Sequence, residues 1–375
     1  MVWLIGHRQP KGAATAMPDL PSPRHISTLP IAEIGWPPDC RRGAVEACRP
    51  LWKQICADAR YHPMMPHIIA SLLVILASSA HAVPVCRVDD AYADFVQRAK
   101  ITQGTSDEAR LAALHDFLAV HAGLYTAEAI GIIPGPELER AGLHEMVAVN
   151  ASAADFDVAL QRAFAVTADH FAQALPDFRC DFVVYVAPTF GRMDGAGRVV
   201  DGKPALVLGP DVIADYQTPG QLPVFIAHEL FHRYHFAAAG FSDDLAERDL
   251  LWRTLWAEGL ATYASARLNP DRPLADAMLL PRDLAERAAP LVPALAREIS
   301  VQLDVVDAAT FARFFEGGDA SARARGWPAR SGYYLGYLVA QRLAQRHTLA
   351  ELAHLQGPAL RREIGEVLAA LAAGR

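Results

Sequence analysis

The chain has 375 residues, of which 52% are hydrophobic and 21% are charged, and its mean hydropathy is +0.12. This apolar content is ample for a core, and the 25 Gly and 26 Pro are dispersed, so collagen-like and disordered chains are excluded. The 35 Lys plus Arg stand against 42 Asp plus Glu, giving a formal net charge of −7 without a basic run. That balance argues against a nucleic-acid partner.

The first predicted element is a secretion signal. Residues 67–83 hold an apolar core of about a dozen residues, a length that suits a signal peptide better than a membrane span. Ala80-His81-Ala82 then forms a small-x-small cleavage site. We expect a signal peptide at 64–82, preceded at 1–63 by an extension that reflects a wrongly assigned start codon or is disordered. The alternatives are an uncleaved anchor and an ordinary buried helix.

Cleavage would leave a periplasmic or secreted protein with no stable membrane anchor, and it would change the cysteine count. Three of the five cysteines precede the cleavage site, so that Cys86 and Cys180 would remain. An even pair in an exported protein predicts one disulfide. Two free thiols, or Cys86 as a removable metal ligand, are the competing interpretations.

Residues 83–176 are predicted to form a helical N-terminal part. Apolar residues recur three and four positions apart in stretches such as 108–120 and 154–175, and Pro134-Gly135-Pro136 interrupts the pattern.

The remainder, 177–375, is predicted to begin with strands and to continue as helices. Two β-rich runs at 181–187 and 204–209 flank a glycine-rich segment, 190–203, which we expect to be a hairpin or a connecting loop. Helices then follow at about 221–239, 245–268, 290–303, 331–345 and 359–373. The predicted fold class is α+β, mostly helical, with a small sheet beside one central helix.

The segment that carries chemistry is His228-Glu229-Leu230-Phe231-His232, within the predicted helix at 221–239. Residues four apart project from one helix face, so His228 and His232 can bind a single Zn²⁺. Glu229 is turned away by about 100°. It would lie beside the metal without ligating it, where it can take a proton from water and return it to a leaving amine. Chance would produce this pattern in roughly 0.02 of chains of such composition.

A catalytic zinc site needs a third protein ligand. We expect Glu258, which lies 26 residues after His232 on the next predicted helix, to supply it. The main rival is Glu247, nearer in sequence but predicted to lie in the first turn of that helix, where its ordinary role is to stabilise the helix dipole.

His-Glu-x-x-His followed by Glu258-Gly259-Leu260-Ala261-Thr262-Tyr263 resembles the gluzincin clan of zinc metallopeptidases. Within that clan the chain is most similar to a bacterial family of predicted zinc-dependent proteases, whose Gly-Tyr-x-x-Gly-Tyr segment corresponds to Gly332–Tyr337. The matching stretches are Pro204–Tyr263 and Ser331–Tyr337. The resemblance implies a zincin-like, thermolysin-type core: a small sheet whose edge strand lies along the substrate cleft, the motif helix behind it, and an antiparallel helix that carries Glu258.

The chain departs from better-known relatives in three places. His235 and Ala238 stand where metzincins have Gly and His. Thr262 stands where thermolysin has an Asp, and the Gly-x-Met-Glu-Asn element of the clan's aminopeptidases is absent, so an endopeptidase or an enzyme for short peptides is the safer expectation.

A tyrosine is the expected donor to the transition-state oxyanion. Tyr333 is our first candidate, since a phenol beside the metal can donate a hydrogen bond there. Tyr334, Tyr337 and simple packing at a helix interface are the alternatives.

Three aromatic residues close to the motif in sequence are expected to have supporting roles. His235 returns to the metal face, but three histidines in a row would span about 10 Å, too far for one ion. We expect it to support a ligand or to line the cleft, and Trp252 and Trp256 to pack the second helix against the first.

The sequence therefore predicts an exported metallopeptidase with one catalytic Zn²⁺ held by His228, His232 and Glu258. Glu229 and Tyr333 would be catalytic, and the partner would be a peptide or protein substrate. A catalytically silent binding protein and a zinc amide hydrolase for a non-protein substrate are the alternatives.

Overall fold

A computed structural model describes residues 86–240, 250–316 and 320–375. The predictions for residues 1–63, for a signal peptide at 64–82 and for Glu247 lie outside the described residues. Among the residues that are described, no helix has the length and apolar character needed to cross a membrane.

Four helices precede most of the sheet, as the apolar spacing predicts. They are α1 (Ala91–Ile101), α2 (Asp107–Val120), α3 (Pro136–Ala148) and α4 (Ala151–Ala174). Side chains cap three of them: Asp90, Ser106 and Asn150 accept hydrogen bonds from backbone N–H groups in the first turns. α3 begins at a proline, which suits a first helical position.

The sheet has four strands in the order β1-β2-β4-β3. They are β1 (Arg87–Asp90), β2 (Val183–Val186), β3 (Gly195–Val200) and β4 (Lys203–Leu208). β1, β2 and β4 are parallel, whereas β3 runs antiparallel to β4 at the edge. Both predicted strands are present, but β1 was not predicted.

The segment at 190–203 is a hairpin and not a connecting loop, and its first arm is a true strand, β3. The turn residues Asp201 and Gly202 both have positive φ, at 50° and 71°, which is the geometry of a tight hairpin turn. The predicted disulfide is confirmed, because Cys86 and Cys180 are bonded. It ties the residue before β1 to the segment that leads into β2.

The rest of the described chain is helical. Its helices are α5 (Pro210–Ile213), α6 (Leu222–Ala239), α7 (Leu251–Leu268), α8 (Leu274–Ala277), α9 (Leu284–Ala288), α10 (Val292–Ser300), α11 (Ala308–Phe315), α12 (Ala320–Ala324), α13 (Ser331–Leu343), α14 (Leu349–His354) and α15 (Gly357–Ala372). The five predicted helices correspond to α6, α7, α10, α13 and α15, with ends that differ by a few residues. The fold is thus α+β and mostly helical, with a small mixed sheet.

α7 is the central helix, because it packs against both α6 and α13. Its backbone and that of α13 approach closely at two glycines: a Cβ on Gly259 would lie 2.2 Å from the Cα of Gly336. Only residues without side chains allow two helix backbones to approach so closely. This crossing brings the segment around Glu258 next to the segment around Tyr333.

Candidate metal centre

The motif helix α6 is held in place at both ends and along most of its length. Before it, Thr218 and Gln221 form a reciprocal capping box. It ends at Gly240, whose left-handed conformation (φ 55°) terminates the helix without strain. Apolar side chains such as Phe225 and Phe231 are fully buried. A helix fixed in this way presents its polar residues in a defined direction.

Three side chains meet between α6 and α7. His228 and His232 point their Nε2 atoms at one another across 3.0 Å. Glu258 faces both, with Oε2 3.5 Å from His228 Nε2 and Oε1 3.5 Å from His232 Nε2. Together they form a group that can hold a metal ion. The structure thus places Glu258 of α7 opposite His228 and His232, which lie about one turn apart on α6.

The spacing of these donor atoms fits a tetrahedral metal. Bonds of 2.0–2.1 Å to a tetrahedral zinc place neighbouring ligand atoms about 3.3 Å apart. The histidine nitrogens are 3.0 Å apart, and each lies 3.5 Å from a different oxygen of the Glu258 carboxylate, so the closest separations are near that value. Two imidazole nitrogens and one carboxylate also form a donor set that zinc accepts, and three ligands leave a position open.

The charges in the group favour metal binding. Burial by itself would raise the pKa of Glu258, but the charge of His232 and hydrogen bonds from both histidines hold that pKa well below its ordinary value. Burial lowers the pKa of His228. Burial would lower the pKa of His232 as well, but the carboxylates of Glu258 and Glu229 raise it. A metal requires an ionised carboxylate and neutral imidazoles, so its binding would displace the proton that Glu258 favours on His232.

Glu229 is buried beside this group without belonging to it. Its side chain packs against the start of β3, where a Cβ on Gly195 would come within 2.8 Å of the Glu229 carboxyl carbon. Burial raises the pKa of Glu229 to about 8, and the nearby carboxylate of Asp194 adds to the rise. A carboxyl group with a pKa near neutrality can both accept and return a proton.

The ligand helix α7 starts without a side-chain cap. Its first N–H groups, those of Leu251 and Trp252, donate instead to the carbonyls of Val305 and Leu303. Four residues after the ligand, Thr262 donates a hydrogen bond to the backbone carbonyl of Glu258, 2.7 Å away. Thr262 therefore does not orient a ligand histidine.

Neither ligand histidine has a partner for its second ring nitrogen. In the described part of the chain, the Nδ1 atoms of His228 and His232 are buried without a hydrogen bond. Ring orientation depends instead on packing: the His232 ring lies 5.5 Å from that of Phe236 and 4.7 Å from that of His228.

Of the three candidate tyrosines, Tyr333 lies at the ligand group. It is only 4% exposed, and the carboxylate of Glu258 is among the groups that act on its phenol. Burial raises its pKa well above the ordinary value, so that the phenol keeps its proton and remains a donor. Tyr334 and Tyr337 stack on each other at 6.3 Å, and Tyr337 also lies 6.0 Å from the ring of Tyr263.

His235 does not line a cleft. It is fully buried, its ring lies 6.4 Å from that of Trp256, and burial lowers its pKa to about 3. It is therefore a neutral histidine in the core between α6 and α7. Trp256, which is also fully buried, packs these helices together as predicted, and Trp252 is buried on the same helix.

Sequence reasoning missed three polar residues near the centre. Asp194 accepts hydrogen bonds from the hydroxyl of Tyr216 and, at 2.8 Å, from the N–H of Gly195. Arg330 places its guanidinium carbon 4.2 Å from the ring centroid of Tyr333. Asp194 was missed because its segment was read as a loop. The position of Arg330 directly before the tyrosine-rich helix was the available signal.

The structure thus brings a group that could hold a metal ion together with the buried Glu229 and Tyr333. Comparison of the chain with models of known protein families, with curated proteins and with solved structures gave no match.

Proposed function

We propose that this protein is an exported, zinc-dependent metallopeptidase of the gluzincin type. The observation that carries the proposal is the donor triangle of His228, His232 and Glu258, with buried Glu229 directly beside it. A histidine pair and a carboxylate with an open fourth position are typical of hydrolytic zinc sites.

Each residue of the centre has a role in peptide hydrolysis. When bound, zinc supplies a Lewis acid that polarises the scissile carbonyl and increases the acidity of water. Glu229 takes the proton from the attacking water and returns it to the leaving amine. Tyr333 donates its hydroxyl hydrogen to the oxyanion, and its high pKa keeps that hydrogen in place.

The sheet supports a zincin-like core. The edge strand β3 is antiparallel to its neighbour, and its first residue contacts the side chain of Glu229. An extended peptide that lay along this edge would pass the proton acceptor and the ligand group. A peptide or protein substrate is therefore preferred over a non-peptide amide.

The disulfide supports export. The Cys86–Cys180 bond joins residues 94 positions apart, and such bonds persist in oxidising compartments such as the periplasm. It agrees with the predicted signal peptide and with a periplasmic or secreted location.

Metal analysis of the purified protein tests the ligand assignment. We expect about one zinc ion per chain, and a large loss of zinc in His232→Ala, because two remaining ligands do not hold the ion. The matched control is His115→Ala, which removes an exposed histidine that pairs with Glu139 at 2.9 Å. Full zinc retention in His232→Ala would contradict the assignment.

Digestion of a peptide library tests the activity. Glu229→Gln keeps the ligand triangle, so we expect this variant to retain zinc and to lose hydrolysis by a factor of at least about 100. Undiminished cleavage would remove Glu229 from the mechanism. Zinc binding by the wild type without cleavage of any peptide would favour a silent binding protein, and cleavage restricted to non-protein amides would favour an amide hydrolase.

A further inference from the structure

Arg330 adopts a backbone conformation that arginine rarely takes. It precedes α13 with φ 61° and ψ 24°, in the left-handed region. For a residue with a side chain this conformation costs of order 1 kcal/mol, and such positions cluster at binding and catalytic sites. Here it places the guanidinium over the ring of Tyr333, the tyrosine whose phenol is under the influence of the Glu258 carboxylate.

No carboxylate of the described residues pairs with this cation, although the charges of Asp194 and Glu258 act on it. Within the described residues the guanidinium forms no hydrogen bond or ion pair, and its Nε atom is inaccessible to solvent and without a partner. Arg330 is half-buried, and a guanidinium that is partly removed from water is most favourable where acceptors meet its N–H groups. The ring of Tyr333 covers one face of the guanidinium, and no acceptor in the described part of the chain meets the N–H donors at its edge.

The two carboxylates whose charges act on Arg330 have other partners. Arg330 is influenced by Asp194 and Glu258, but it pairs with neither. Asp194 accepts hydrogen bonds from Tyr216 and from the N–H of Gly195. Glu258 faces the two histidines and would be occupied by the metal. Within the described residues, therefore, no carboxylate occupies the N–H edge of Arg330, and a carboxylate of a bound molecule can meet it there.

The start of α13, next to Arg330, also suits an anion. α13 has 13 residues and no side-chain cap at its start, so its first N–H groups and the positive end of its dipole lie beside Arg330. Ser331, the first residue of the helix, is fully buried, and its hydroxyl has no hydrogen-bond partner among the described residues. A buried hydroxyl donor without an acceptor is rare in folded proteins.

We propose that Arg330 binds a carboxylate of the substrate, so that the enzyme acts on peptides or N-acyl amino acids with a free carboxylate next to the scissile bond. This inference rests on the proposed peptidase function. The planar guanidinium matches a carboxylate with two parallel hydrogen bonds, which a neutral amide cannot replace.

The short distance to the metal group favours the C-terminal carboxylate over an acidic side chain. The guanidinium lies over the ring of Tyr333, and both groups are near enough to Glu258 for its charge to act on them. A substrate whose scissile carbonyl lies at the metal can reach Arg330 with the α-carboxylate of the following residue. The activity would then remove C-terminal residues one at a time.

Binding to an inactive protein tests the proposal separately from hydrolysis. The full chain carrying Glu229→Gln is titrated calorimetrically with three probes: an N-acetyl dipeptide with a free C-terminus, its C-terminal amide, and an amide that carries an aspartate side chain. We expect the free acid to bind at least about tenfold more tightly than its amide. A preference for the aspartyl amide would instead assign the site to an acidic side chain and overturn the C-terminal assignment.

Arginine variants in the same background identify the residue. We expect Arg330→Gln to remove the preference for the acid, and Arg330→Lys to recover only part of it, because lysine lacks the two-pronged geometry. Arg325→Gln is the matched control: Arg325 also stacks on a ring, that of Trp327, but it is exposed and pairs with Glu298. Zinc content and thermal unfolding show whether each variant is folded.

The outcomes separate the two proposals. Equal binding of acid and amide would overturn the role of Arg330, even if the wild type hydrolyses peptides. A clear preference for the acid, without hydrolysis of any peptide by the wild type, would support the carboxylate site and refute the peptidase.

Discussion

The contact between α7 and α13 gives the sharpest prediction about stability, because no side chain separates the two backbones. A Cβ added at Gly336 would lie 2.3 Å from the carbonyl oxygen of Leu255 and 2.7 Å from the Cα of Gly259. Ordinary contacts of this kind are 3.4–4 Å long. Gly336→Ala therefore forces the helices apart by about 1 Å, since a backbone atom cannot rotate away as a side chain can.

Two opposing effects set the size of the change. Alanine is favoured over glycine in a helix by roughly 0.5–1 kcal/mol. Overpacking of a rigid interface costs typically 1–3 kcal/mol, and the upper end applies where backbone meets backbone. We expect a net loss of about 2 kcal/mol in the free energy of unfolding. Zinc content should fall as well, since Glu258 and Tyr333 lie on the two helices that separate.

Chemical denaturation with a matched glycine measures this loss. Gly365 in α15 has only the flexible end of Arg361 nearby, 3.3 Å from an added Cβ. Gly365→Ala should therefore raise the free energy of unfolding by roughly 0.5–1 kcal/mol. If Gly336→Ala unfolds at the same denaturant concentration as the wild type, or higher, the close crossing of α7 and α13 is refuted.

Two further predictions concern the disulfide and the buried acid. Reduction of Cys86–Cys180, or a Cys180→Ser variant, should lower the free energy of unfolding by about 4 kcal/mol, because the bond closes a long loop in the unfolded chain; guanidinium titrations with and without reductant measure this, and coincident curves would contradict it. In the metal-free protein, Glu229 has a folded pKa of about 8 against an ordinary 4.5, so between these values the folded state holds a proton that the unfolded state has released. The stabilising effect of that proton is complete below pH 4.5 and is lost as the pH rises towards 8, by up to about 1.4 kcal/mol per pH unit. Glu229→Gln should be less sensitive to pH over this range in urea titrations, and parallel pH profiles of the two proteins would exclude the buried acid.

The part of the centre that is local in sequence was predictable. His228, Glu229 and His232 depend only on the period of one helix, and the apolar residues that bury that helix are continuous in the chain. Glu258 lies on a second helix, and the apolar pattern of that helix predicted it. The spacing alone did not show that the two helices would meet with their ligands 3.5 Å apart.

The sheet was harder to predict for physical reasons. β1 has four residues, three of them charged, and it becomes a strand because it pairs with β2 beside the disulfide. β3 begins Gly-Ala-Gly, a poor strand former, and is held by its ladder with β4. A signal for the hairpin was available in Asp201-Gly202, a dipeptide that favours tight hairpin turns.

The choice between tyrosines depended on tertiary contact. Tyr333, Tyr334 and Tyr337 lie within little more than one helical turn, so the sequence could not tell which of them faces the metal group. The crossing at Gly259 and Gly336 decides it: α13 is fixed so that the charge of Glu258 acts on Tyr333. Arg330 takes its position from the same helix, through a backbone conformation that no pattern predicts.

The unpartnered Nδ1 atoms of His228 and His232 link metal affinity to packing. Hydrogen bonds from the outer nitrogen of a ligand histidine commonly account for 10- to 100-fold in affinity. Where such bonds are absent among the described residues, the rings keep their orientation only as long as α6 stays packed against α7. Because the position of α7 is set by its glycine contact with α13, a change at that crossing acts on Glu258 directly and on the histidines through α7. We therefore expect zinc affinity to fall more steeply than fold stability in variants of the crossing, since the ligands must hold positions to a fraction of an ångström whereas the core can relax.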